Sequence, residues 1–71
     1  MGDDLLNEIR RITNVSVISD LRIVKNEISF KKCKSLLLDY NPSQWSYAVS
    51  YIEEKKIEFK NIEEVDKWLN K

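Results

Sequence analysis

The 71-residue sequence contains no histidine. Histidine is the side chain best suited to move protons near neutral pH, so its absence removes the most common general acid–base group. It also excludes nucleophile–base pairs of the Ser-His or Cys-His kind. Only one cysteine, Cys33, is present, so no disulfide can form within the chain. One thiol without histidine makes no zinc site of the usual kind. The single glycine is Gly2, which leaves no glycine-rich loop to cradle a phosphate. No apolar run comes near the roughly 18 residues that would span a bilayer. The first residues, M-G-D-D-L-L, lack the basic region of a secretory signal, and Leu6 stands where a myristoylation motif has Ser or Thr. These absences lead to an expectation of a cytoplasmic, non-enzymatic protein with no cofactor, no metal, no membrane association and no small-molecule substrate.

Charge gives a further exclusion. Lys+Arg and Asp+Glu both number 12, for a formal net charge of zero, and neither half of the chain carries a one-sign block. Affinity built mainly on phosphate neutralisation needs a basic excess. A chain this short forms one domain, residues 1–71, and buries only about 60% of its unfolded surface. With no disulfide or metal to help, it depends on packing, or on added burial in a homodimer. Abundant Lys, Glu, Asn and Ile with little Gly, Pro and Ala suits an A/T-rich coding genome, such as those of many Gram-positive bacteria and their phages.

What the sequence does contain is clearest over residues 41–56, N-P-S-Q-W-S-Y-A-V-S-Y-I-E-E-K-K. Asn41 is a strong N-cap, Pro42 suits the first helical position, and Gln44 completes a capping box. Trp45, Ala48, Val49 and Ile52 then follow at i, i+3, i+4 and i+7, one stripe of a helix. Burying Trp45 alone removes on the order of 200 Å² from water. Tyr47 and Tyr51, four apart, lie away from the centre of that stripe. Tyrosine tolerates half-exposure, so the pair is compatible with plain surface. Tyrosine is also enriched at interface centres, which makes Tyr47, Ser50, Tyr51 and Glu54 a candidate partner-binding face.

Elsewhere the pattern predicts a helix over 3–13, with Leu5, Ile9 and Ile12 inward, Asp3 and Asp4 in its first turn and Arg10 and Arg11 in its last. Residues 15–25 alternate, with Val15, Val17, Leu21 and Ile23 on one face, which predicts a half-buried strand. Residues 28–40 admit two readings. One is a helix over 30–39 capped by Ser29, with Phe30, Cys33, Leu37 and Tyr40 aligned; the other is a strand over 28–38. Ile57-Glu58-Phe59 alternates as a short strand. Asn61 then caps a last helix over 61–70, with Glu64 at the capping-box position, Ile62, Val65, Trp68 and Leu69 inward, and Lys67 and Lys71 near its end.

The expected fold is therefore α+β: four helices (3–13, 30–39, 42–56, 61–70) around a small antiparallel sheet pairing 15–24 with 57–59. The adjacent carboxylates Asp3/Asp4, Glu53/Glu54 and Glu63/Glu64 do not face each other on a helix, and serve as solvated faces and dipole partners. Cys33, on the Phe30/Leu37 stripe, is expected in the core despite the flanking lysines that would activate an exposed thiol. Two function classes follow. One is a small module that binds another protein, a regulator or inhibitor of the type found in phages and mobile elements. The other rests on the layout over residues 30–56, helix, tight turn, helix, then short strand and helix. This layout resembles a winged helix-turn-helix of the MerR or excisionase type. That resemblance implies DNA as partner, 42–54 as recognition helix, and contacts from Lys31, Lys32, Lys34, Ser43 and Gln44.

Overall fold

The computed structural model describes residues 2–70; Lys71 and the side chain of Asp3 lie outside the described residues. Its elements are α1 (Gly2–Ile12), α2 (Asp20–Val24), a 3-10 helix (Phe30–Leu36), α3 (Pro42–Glu53) and α4 (Ile62–Leu69). Among the described residues there is no strand pairing of any kind. The expected sheet, the α+β class and the winged layout are all overturned; the chain is helical.

The centre is α3. It starts where its signals place it. Asn41 Oδ1 accepts from the Gln44 N–H at 2.8 Å, and Gln44 Oε1 accepts from the Asn41 N–H at 3.0 Å. Trp45, Ala48, Val49 and Ile52 are fully buried. The Trp45 indole N–H donates to the Leu37 carbonyl at 3.2 Å, so the largest core side chain carries no unsatisfied donor. The ring of Tyr40 meets it edge-on, with centroids 6.4 Å apart. Helices α1, α2 and α4 each pack against α3, and the 3-10 helix lies against α1 and α4. The core they share includes Leu5, Ile9, Leu21, Phe30, Val65 and Leu69.

The absence of the strand over 15–24 has a local cause. α1 ends in a Schellman turn. The Val15 N–H bonds the Arg10 carbonyl at 2.9 Å, the Asn14 N–H bonds Arg11 at 3.2 Å, and Asn14 takes the left-handed conformation with φ 60°. In a sequence whose one glycine is at position 2, asparagine is the residue best able to fill that role. The following donors are also spent locally: Asp20 on Val17, Leu21 on Ile18, and Arg22 on Ser19. A chain coiled this tightly has no ladder to offer. Of the alternating residues only Leu21 is fully buried, while Val17 and Ile23 are 50% and 76% exposed.

Residues 28–40 take the helical reading, starting at Phe30 with Ser29 as cap, but as a 3-10 helix. The buried side chains are Phe30, Cys33 and Leu36. Their spacing is three, the period of a 3-10 helix, in which i and i+3 eclipse. Leu36 rather than Leu37 completes the stripe, and the element stops there instead of running to residue 39. The Phe30 ring packs on Trp68 of α4 with centroids 4.7 Å apart.

Segment 57–59 is extended, but its partner is a helix. The Ile57 N–H donates to Ser50 Oγ at 2.8 Å, and that hydroxyl donates back to the Ile57 carbonyl at 3.0 Å. The Phe59 N–H donates to Ser46 Oγ at 2.8 Å, and the Ser46 hydroxyl donates to the Pro42 carbonyl. The spacing explains the fit. Four helical residues rise about 6 Å, and two extended residues advance about 6.6 Å. Two serines one turn apart thus match alternate donors of an extended chain running antiparallel to α3.

This clasp generates the first prediction. Ser50→Ala strips a partly buried N–H and C=O of their partner and should cost about 1–3 kcal/mol in urea unfolding. Ser43→Ala, on the exposed first turn of the same helix, should stay within about 0.5 kcal/mol of the parent.

Candidate protein-interaction surface

Helix α3 has one face to the core and one flank under segment 57–59. Its other flank is covered by Arg22 of α2. The Arg22 guanidinium carbon lies 3.9 Å from the centroid of the Tyr51 ring, a cation–π contact, and Arg22 Nε donates to the Tyr51 carbonyl at 3.0 Å. The same guanidinium sits 3.9 Å from Glu54 Oε1. Lys25 reaches the Glu53 carbonyl at 3.4 Å. The last turn of α3 carries no basic residue of its own. Two cations from the α2 region supply the charge that favours the negative end of its dipole.

What remains outward on α3 is Ser43, Tyr47 and Glu54. Tyr47 is 57% exposed. The four residues of the expected face therefore have different positions. Tyr47 stands free of the core, and Tyr51 is half-buried under Arg22. Glu54 takes the left-handed conformation at φ 58° as the cap of a helix that ends at Glu53, three residues earlier than the expected 56. Ser50 lies on the far flank, its hydroxyl committed to Ile57. Arg22, which binds Tyr51 and Glu54 into one unit, was hidden from sequence reasoning inside a stretch whose alternation predicts a strand.

The candidate nucleic-acid residues have different commitments. Lys31 and Lys32 are exposed on neighbouring ridges of the 3-10 helix, whose period of three sets Lys34 on the ridge of Lys31. Lys34 is paired with Asp66 Oδ1 at 3.4 Å. Ser43 is exposed, while Gln44 spends its side chain on the cap of α3.

A cleft of about 330 Å³ lies elsewhere, lined by residues including Lys25, Asn26, Glu53, Lys55 and Trp68. At its wall the Trp68 indole N–H donates to Glu53 Oε2 at 2.9 Å, and Lys25 Nζ lies 3.7 Å from Glu53 Oε1. These groups tie the α2 region, α3 and α4 together. Among the described residues no three ligating side chains converge on a metal position, and no helix is long and apolar enough to cross a membrane. Partial burial, and then the negative charges of Glu8, Asp4 and Asp39, raise the Tyr40 phenol above its ordinary value. No protein family, curated protein or solved structure matches the chain.

Cys33 is fully buried on the 3-10 helix, and burial pushes its thiol from 9.0 up to about 11. Burial favours the neutral form, so the folded chain keeps a proton that the unfolded chain loses. The resulting stability is fully present below pH 9 and drains away as pH rises to 11, by about 2 kcal/mol. Unfolding titrations at pH 8 and 11 should show a loss for the parent that exceeds the loss for Cys33→Ala by about that amount.

Proposed function

We propose that the chain is a small, non-enzymatic protein-interaction module that captures another protein through the α3 face at Tyr47, Tyr51 and Glu54. Ser50 supports this face from behind by holding segment 57–59 in place. A regulator or inhibitor of the kind mobile elements encode suits its size and neutral charge. The observation that carries the reading is the exposed Tyr47 ring beside a second ring clamped under Arg22. Tyrosine and arginine concentrate at the energetic centres of protein interfaces. A ring already held in place by a guanidinium loses little freedom on binding.

Removing the exposed ring tests this directly. The immobilised chain should retain a specific protein from a lysate of its source cells. Tyr47→Ser should weaken that capture about tenfold or more, with an unchanged thermal midpoint, since an exposed side chain contributes little to folding. Retention of the same proteins by Tyr47→Ser would remove the proposed face. A low-salt gel shift that collapses as salt is added would favour nucleic acid instead.

A further inference from the structure

We propose that the outward edge of residues 56–60 is a second docking site, which takes an extended acidic segment of a partner protein by strand addition. The backbone alternation sets it up. Ile57 and Phe59 turn their N–H groups inward to Ser50 and Ser46. In an extended chain the intervening residue faces the opposite way. The N–H and C=O of Glu58 therefore point away from α3, and neither has a partner among the described residues. The free run ends at Lys60, whose N–H is taken by Glu64 Oε1 at 2.7 Å. α3 thus does the work of an inner strand, leaving the outer edge in the state that strand-adding partners recognise.

Charge selects the occupant. Lys56, Glu58 and Lys60 are exposed, while Ile57 and Phe59 pack toward the core. Neither Lys56 nor Lys60 has a carboxylate within ion-pair distance among the described residues. A second copy pairing antiparallel about Glu58 would set Glu58 against Glu58 and Lys56 against Lys60, both repulsive. A segment reading acidic, any, basic, any, acidic would instead place carboxylates opposite both lysines and a cation opposite Glu58. This site lies on the opposite flank of α3 from Arg22 and Tyr51, and the argument for it does not depend on the Tyr47 face.

The test uses the whole chain and two blocked peptides, T-E-V-K-V-E-T and its charge-reversed form T-K-V-E-V-K-T, titrated to roughly millimolar concentration at low salt. Amide NMR of the chain should show the Glu58 and Lys56 signals moving with the first peptide. The second should bind about tenfold more weakly. Glu58→Pro removes the outward donor while leaving the inward ones, a position proline tolerates, and should abolish the response. Should that variant not fold, Lys56→Glu with Lys60→Glu decides the matter by reversing the peptide preference. Equal binding of both peptides, no movement at Glu58, or movement confined to Tyr47 and Tyr51 would overturn the proposal. Glu58 protection that grows with protein concentration alone would overturn it in favour of a second copy. Peptide binding that survives Tyr47→Ser separates this site from the α3 face.

Discussion

With no sheet among the described residues, the backbone between helices bonds mostly to its own turns, and where it runs along α3 it bonds to two hydroxyls instead. Ser46 and Ser50, one turn apart on α3, stand in for a neighbouring strand and hold residues 57–59 along the helix. The path from α3 to α4 depends on that attachment. Ile57 and Phe59, partly buried against the core, lie along that attachment. Unmade bonds at partly buried amides cost more than made bonds gain, so the two hydroxyls carry a disproportionate share of the stability.

The same helix organises everything else by dividing its surface. One side carries the fully buried Trp45 stripe, and one flank carries the serines. The other flank is occupied by Arg22, and the last turn receives Arg22 and Lys25 from outside. Three of its sides are therefore committed to folding. The remaining strip, with Tyr47 at its middle, makes no contribution to the core, which gives its aromatic character weight as a recognition feature.

Much of this was legible in the residues, and the misses have physical reasons. The caps at Asn41 and Asn61, and most of the stripes of α1, α3 and α4, follow rules that depend on sequence neighbours alone and appear as expected, although the Glu64 carboxylate takes the Lys60 N–H instead of closing a capping box on Asn61, and Leu6 joins the buried side of α1. The alternation of 57–59 was legible too, but the strand it predicted does not form. The segment's partner was not legible, because a serine on a helix face gives no sign that it will bind a backbone seven or thirteen residues away. Residues 15–24 carry a genuine alternation, but the left-handed Asn14 consumes the Val15 donor and commits the chain to turns before pairing can begin. The 3-10 helix was misjudged because periods of three and of three and a half are nearly indistinguishable over seven residues. In the candidate face, Tyr47 was legible from its angle on α3. Arg22 was not, since its contact with Tyr51 spans 29 positions and depends on a helix that the alternation concealed.

Hydrogen exchange of three consecutive amides in the free protein tests the central claim most directly. If serines on α3 hold an extended segment by its inner edge, the Ile57 and Phe59 amides exchange slowly and the Glu58 amide between them exchanges quickly. Three amides exchanging alike, all fast or all protected, would contradict the account, because neither a loose loop nor a buried strand produces that alternation.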